Sequence, residues 1–512
     1  SEKYALIPFE HAIRVLHHPP PDVSYAQLIE RGHPAWRRIK FDELLAQQLS
    51  LAIARATRLE QRAHALTAGN NNLVKALHDR LPFTLTRAQQ RSADEISVDL
   101  ARSFPMHRLL QGDVGSGKTV VAALAAAQAI GAGAQVAIMA PTEILAQQHF
   151  RKLTAWLEPL GVTVVWLTGS LPAKARRSSV EQIASGRAQL VVGTQALIQD
   201  KIDFASLGLI ILDEQHRFGV GQRLELSRKG ESPEDGIVFI PHQLNMSATP
   251  IPRTLAMTFF ADLDVSVIDE LPPGRTPVLT KLVVDTRREE VLARVVAEVR
   301  IGRQAYWVCP LVEESEALQL QTAVDTYAAL AEALPDLRVG LVHGRLSSAE
   351  KAQVMQDFGA GGIDLLVATT VIEVGVDVPN ASLMIIEHAE RFGLAQLHQL
   401  RGRVGRGDVK SVCVLMYQGP LSRVARQRLR AMYETTDGFE IARRDLEQRG
   451  PGEFLGMRQS GIELFRFASL QTDASIVDQA QAAACELRQR FPDHVRAHLQ
   501  RWMRDKQDLL RG

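Results

Sequence analysis

The stretch GDVGSGKT, Gly112 to Thr119, decides the fold class. A short apolar run with Leu109 and Leu110 leads into it and VVAALAAAQAI leads out, so strand, glycine-rich turn and helix are read in that order. Gly112, Gly115 and Gly117 let the backbone turn tightly and aim its N–H groups at phosphate oxygens. The positive end of the following helix adds to that field. Lys118 can then reach the β and γ phosphates and Thr119 can hold Mg²⁺ through its hydroxyl, with Asp113, Val114 and Ser116 completing the loop. The pattern implies a bound nucleoside triphosphate.

Working outward, short apolar runs alternate with helical segments from residue 84 to about 270. Strands are expected in QVAIMA from Gln135, VTVVWL from Val162, QLVVGT from Gln189, LIILDE from Leu209 and QLNMSAT from Gln243. Continuous apolar runs of this kind mark parallel strands covered on both faces, so the class is doubly wound α/β. A second series follows in AYWVCP from Ala305, VGLVHG from Val339, DLLVATT from Asp364, SLMIIEH from Ser382 and VCVLMY from Val412, without a second phosphate loop. DELPPGRTP, Asp269 to Pro277, is the natural linker because its prolines and glycine continue neither element.

Phe41, Leu45, Leu49, Ile53 and Ala56 recur at helical spacing, which predicts one long helix over residues 35 to 66, ended by Gly69 and Asn70 to Asn72. From residue 421 the pattern turns helical again, with glycine-rich interruptions between Gly450 and Gly461. The expected organisation is therefore residues 1–72, 73–272, 273–420 and 421–512. The chain opens on Ser1, and residues 1 to 34 with PPPD at Pro19 to Asp22 read as the tail of something larger.

Composition bounds the class. A hydrophobic fraction of 46% with 23% charged residues is that of a globular protein with several cores. No apolar run approaches the length of a membrane span, so no membrane partner is expected. Cys309, Cys413 and Cys485 are dispersed and odd in number, which fits a reducing cytoplasm and no disulfide framework. Net charge is only +1, but Arg401 to Arg466 holds 13 Arg and Lys against 8 Asp and Glu, a local basic excess.

LIILDEQH, Leu209 to His216, puts two carboxylates at the end of a buried strand, where an open α/β sheet holds its ligand crevice. Asp213 is placed to bind Mg²⁺ and Glu214 to orient and deprotonate an attacking water. Phosphoryl transfer also needs positive charge against the developing oxyanion. QLRGRVGRG, Gln399 to Gly407, offers Arg403 and Arg406, which at i and i+3 would share one helical face. Two similar domains, one with the loop and one with the arginines, imply a nucleotide in the cleft between them.

GDVGSGKT, PTEILA at Pro141, DEQH at Asp213, SATP at Ser247, ATTVIEVGVDVP at Ala368 and QLRGRVGR at Gln399 resemble the ordered motif set of superfamily 2 helicases and translocases. DEQHRFGVGQR at Asp213, SATPIPRTLA at Ser247, DLDVSVIDELPPGRTPV at Asp262 and RRDLEQRGPGEFLGMRQSG at Arg443 are similar to the RecG family of bacterial branched-DNA helicases, from about residue 10 to the C-terminus.

The resemblance implies two RecA-like doubly wound parallel-sheet domains in tandem, an N-terminal helical linker and a C-terminal helical hairpin and loop. It implies ATP and Mg²⁺ as cofactors, with Gln89 reading the adenine edge and Gly375 and Asp377 approaching the nucleotide from the second domain. Thr142, Thr194, His343 and Thr370 match positions that grip the DNA backbone. Ser247 and Thr249, with Gln399, match the elements that couple hydrolysis to domain movement. In the tail, Arg449 and Gln459 match a translocation motif, while Arg443 and Arg444 stand where a Glu and a Lys are expected. Family members carry an OB-fold wedge ahead of the helicase domains, of which only the following stretch is recognised in LHHPPPD and the long helix.

The implied activity is an ATP-driven motor on double-stranded and branched DNA. It would be a monomer in a bacterial cytoplasm, associated with the nucleoid, with single-strand DNA-binding protein as a partner. The competing readings are a transcription-repair coupling-factor-like translocase, which shares the tail motif, and a non-catalytic scaffold with a degenerate ATPase. Every catalytic position here is occupied by a competent residue, which argues against the scaffold.

Overall fold

The computed structural model of the chain describes residues 2–67, 72–199, 201–234, 237–248, 263–272, 275–310, 316–369, 378–405, 407, 409–449, 465–469 and 472–503. They fall into two compact units. One comprises Arg62–Pro250 and Val265–Asp445, the other Ser1–Gln61, Ile251–Asp264 and Leu446–Gly512.

The larger unit is built on two sheets. The first has strands β1 (His107–Gly112), β2 (Gln135–Met139), β3 (Val164–Leu167), β4 (Leu190–Gly193), β5 (Leu207–Leu212), β8 (His242–Ser247) and β9 (Asp264–Ile268), in the order β3-β4-β2-β5-β8-β1-β9. A small antiparallel hairpin, β6 (Ser232–Glu234) with β7 (Ile237–Phe239), lies between β5 and β8 in sequence. From β3 across to β1 every pairing is parallel. Every residue of β2 and β5 is buried, as continuous apolar runs require when helices cover both faces. The Lys118–Gly131 helix is buried from Val120 through Ile130, and its alanines let it lie close against the sheet and the Arg87–Leu100 helix.

The second sheet comprises β10 (Leu279–Val284), β11 (Gln304–Val308), β12 (Val339–Val342), β13 (Leu365–Ala368), β14 (Ala381–Ile386) and β15 (Val412–Tyr417), all parallel in the order β10-β15-β14-β11-β13-β12. Trp307, Tyr306 and Phe358 are its largest fully buried side chains. The Arg423–Glu434 helix packs on this domain through Leu429, Ala431 and Met432.

Each apolar run read as a strand forms one. The edge strands β9 and β10 were not legible as strands, because their burial is partial or alternating, and β7 is a three-residue strand whose apolar side chains are largely exposed. The DELPPGRTP segment does connect the sheets, between β9 and β10.

The long helix runs from Pro34 to Glu60, with the His33 ring accepting from the Ala35 N–H at 3.1 Å and proline at its first position. It ends well short of residue 66. Gln61 is already extended, and Arg62 bridges to Phe239 while the Leu66 N–H donates to the Leu100 carbonyl at 2.8 Å. Of the expected stop at residues 69–72, residues 69–71 lie outside the described residues and Asn72 stands at the N-cap of the Leu73–Arg80 helix.

In the smaller unit this helix contributes Phe41, Leu44, Leu45 and Leu49 to a core shared with Leu446, Ile476, Val477 and Ala480. Two buried carboxylates lock it to the C-terminal part of the unit. Glu43 accepts from the backbone N–H groups of Arg466, Phe467 and Ala468 at 2.7, 3.0 and 2.9 Å, and Asp473 pairs with Lys40 at 2.9 Å.

Candidate functional site

The phosphate loop leaves the carboxyl end of β1 and enters the Lys118–Gly131 helix, whose first residue is the lysine itself. Gly115 and Gly117 have φ of +76° and +90°, a left-handed backbone open to glycine. A Cβ on Gly112 would stand 2.6 Å from Ser116 Oγ, so the loop closes only around glycine. The Ser116 hydroxyl is buried without a hydrogen-bond partner, an acceptor-seeking group inside the cradle. Lys118 Nζ arches over the loop and donates to the carbonyls of Gly112 at 2.7 Å and Asp113 at 3.0 Å. A glycine-lined nest, an orphaned hydroxyl and an ammonium resting on carbonyls fit a phosphate.

Gln89 is buried and ties the loop to the preceding Arg87–Leu100 helix. Its amide N–H donates to the Ser116 carbonyl at 2.8 Å, and its oxygen accepts from the Thr86 N–H at 2.9 Å in a capping box.

Asp213 and Glu214 follow β5, two strands from β1 with β8 between them, so the acids and the loop emerge at the same carboxyl edge. Ser247, at the end of β8, is buried on that edge. Asp213 Oδ2 meets His149 Nε2 at 2.7 Å and its Oδ1 accepts from the Glu214 N–H at 3.1 Å. Burial alone would push the Asp213 carboxyl up, but His149, Lys118 and the Glu214 N–H hold it below the ordinary aspartate value. Glu214 goes the other way. Burial and then the Asp213 charge raise it, opposed by Lys118, the Ala248 N–H and Arg403.

The charge of Arg403 therefore reaches Glu214 from the second sheet domain. Arg403 is itself buried, but it does not stand on a helix. The Leu394–Arg401 helix is capped at Gly402, so Arg403 sits in the turn beyond it. A Cβ on Gly402 would stand 2.7 Å from the Val114 side chain, so glycine lets this turn pack directly on the phosphate loop.

Three residues at this junction escaped sequence reasoning. Arg275, in the linker, donates to the Val114 carbonyl and reaches the Gly402 carbonyl at 3.4 Å. His398 Nε2 meets Asp113 Oδ1 at 2.6 Å, and His149 holds Asp213 as described. None stands in a motif whose spacing announces chemistry, although Gln399 and Arg403, beside His398, do. Burial pushes Asp113 up, yet the His398 ring, the Val114 N–H and Lys118 leave it below the ordinary aspartate range.

Other expected residues are dispersed. Thr142 caps the Glu143–Leu157 helix, accepting from Leu145 N–H at 3.4 Å, and Thr194 precedes the Gln195–Ile198 turn. Gln399 is buried on its helix and His343 follows β12, its ring below the ordinary histidine value through burial and the Lys351 and Arg345 charges. Thr249, Thr370, Gly375, Asp377, Arg406 and Gln459 lie outside the described residues, as does the Arg449 side chain. Arg443 and Arg444 do find partners: both donate to Glu440 at 2.8 Å, and Arg444 also to Glu434 at 2.7 Å.

Residues 86–258 match the family profile of the DEAD/DEAH box helicase, 287–408 that of the helicase conserved C-terminal domain, and 435–506 that of the C-terminal part of domain 3 of the ATP-dependent DNA helicase RecG. The third match favours that family over the coupling-factor alternative. The ATP-dependent DNA helicase RecG of Escherichia coli O157:H7 is 56% identical over 96% of this chain and 70% of its own length. That of Pasteurella multocida is 54% identical over 97% of this chain and 71% of its own. A solved structure of RecG bound to a three-way DNA junction, 41% identical, covers 93% of this chain and 60% of that one with a TM-score of 0.72. The chain belongs to the family of the ATP-dependent DNA helicase RecG and is an ATP-driven helicase of that kind.

Proposed function

We propose that residues 112–119 clamp ATP against the second sheet domain and that hydrolysis there drives movement along branched and double-stranded DNA. The observation that carries this reading is the convergence of the Asp213, Lys118 and Arg403 charges on Glu214, from two sheets of one compact unit. ATP supplies the phosphoryl group, and Mg²⁺ supplies charge that offsets its oxygens. Among the described residues no group of three or more His, Cys, Asp and Glu is placed to hold a metal. Asp213 and the Thr119 hydroxyl would hold the ion together with the phosphates. Lys118 exchanges its two loop carbonyls for phosphate oxygens. Glu214 orients the attacking water and accepts its proton, and Arg403 faces the charge that develops in the transition state. Gln89 positions the adenine side of the cleft through its bond to the loop.

The substrate reading is a fork or junction, by analogy with the relative whose structure holds a three-way DNA junction. Remodelling of stalled forks, Holliday junctions and R-loops by a monomer in the bacterial cytoplasm, with single-strand DNA-binding protein as a partner, completes the proposal. The test is Lys118→Ala, with ATP turnover and junction binding measured side by side. Turnover is expected to vanish while DNA binding persists. Turnover at the level of the unchanged protein would contradict the assignment of the loop.

A further inference from the structure

The contact between Asp113 and His398 joins the phosphate loop to the second sheet domain, and it continues. Arg401 Nη2 lies 3.1 Å from His398 Nδ1. A guanidinium has only donors, so Nδ1 must accept, which leaves the proton on Nε2, where it is donated to Asp113 Oδ1. The direction of the chain is thereby fixed: Arg401 to His398, His398 to Asp113.

At its other end Arg401 donates to the backbone carbonyls of Met432, Thr435 and Thr436, at 3.1, 2.9 and 3.1 Å. Met432 lies in the last turn of the Arg423–Glu434 helix, and Thr435 and Thr436 lie in the turn between it and the Gly438–Arg449 helix. Gly438, which opens the second of them, lies directly on the same contact. A Cβ there would stand 2.8 Å from His398 Nε2 and 3.1 Å from the Asp113 carboxyl carbon. His398 and Arg401 are 4% and 3% exposed, so neither can be displaced without moving what it touches.

An incoming triphosphate draws Lys118 off the Gly112 and Asp113 carbonyls and repels the Asp113 carboxylate. The packed ring against that carboxylate must then shift or be strained. We propose that His398 is a positioning residue that transmits the state of the phosphate loop to the turn ahead of the Gly438–Arg449 helix, through Asp113 on one side and Arg401 on the other. The proposal rests on the loop binding ATP, as inferred above.

The coupling is read as the ratio of junction affinities with and without AMP-PNP and Mg²⁺, by anisotropy of a labelled three-way DNA junction. This ratio is independent of how tightly either ligand binds alone. In the unchanged protein it should differ from one by at least about fivefold, the low end of typical allosteric coupling. His398→Leu should bring it to within about twofold of one, a small fraction of that coupling. His398→Gln should restore most of it, because its amide can donate to Asp113 and its oxygen can accept from Arg401. Should the leucine variant not fold, Gly438→Ala decides, since its methyl presses on the same ring and carboxylate and should lower the ratio as well. A ratio of one in the unchanged protein, or full coupling in a folded leucine or alanine variant, overturns the proposal. Failure of a fluorescent ATP analogue to bind the unchanged protein would instead sink the nucleotide assignment on which it rests.

Discussion

Glu214 holds φ of 51° and ψ of 52°, a left-handed backbone that costs a residue with a Cβ about 1–3 kcal/mol. The cost places its carboxyl in the crevice beside Asp213, where burial and that neighbour raise it above the ordinary glutamate value. A general base works only when ionised, so turnover should rise with pH through the raised value and fall as pH drops through it. The profile of kcat/KM for ATP against pH should show an acid limb above the usual glutamate range, and Glu214→Gln should remove turnover at every pH. A limb that survives the substitution would belong to another group. At this scale the sequence was informative where a motif dictates chemistry, at Lys118, Asp213 and Glu214. It was silent where chemistry depends on packing. His149 sits on one helix, His398 on another and Arg275 in a linker, and nothing in their local spacing says that the fold brings each to within bonding distance of Asp213, Asp113 or Val114.

Elements repeat between the sheets. β5 ends in Asp213, a left-handed Glu214 and the Gln215–Arg217 turn, and Gly219 N–H then donates to Gln222 at 3.2 Å. β14 ends in Glu387, a left-handed His388 and the Ala389–Arg391 turn, and Gly393 N–H donates to Gln396 at 3.0 Å. In the second copy Arg288 pairs with the acid, and the histidine replaces the base. Strands such as β2 and β14 were legible because full burial writes an unbroken apolar run. The end of the 34–60 helix was not, because the Arg62 bridge to Phe239 and the Leu66 N–H bond to the Leu100 carbonyl, which hold the chain beyond it, are tertiary. In the Gly438–Arg449 helix, hydrogen bonds from Arg443 and then Arg444 hold Glu440 at about 2. A depressed carboxyl contributes stability above its unfolded value, lost as pH falls from the ordinary glutamate range toward 2. A ¹³C titration of the glutamate carboxyls should find Glu440 still ionised at pH 3, and a midpoint in the ordinary range would show the pairing to be absent in solution.

For the molecule as a whole, three thiols report on burial. Burial pushes Cys309 and Cys413 up to about 12, whereas Cys485 is exposed. A disulfide reagent at pH 8 should therefore label one thiol of the native protein at once and all three after denaturation, and fast labelling of two or more in the native state would contradict the packing of the second sheet. The larger claim is that hydrolysis needs both sheets, the first holding the phosphates and the second supplying Arg403. Its most direct measurement is ATP turnover by Arg403→Ala at saturating junction DNA and ATP, with ATP affinity measured in parallel. Removal of a transition-state guanidinium should lower kcat by about 10³-fold or more while ATP still binds; a kcat within a few-fold of the unchanged protein would show that the second sheet takes no part in the chemistry.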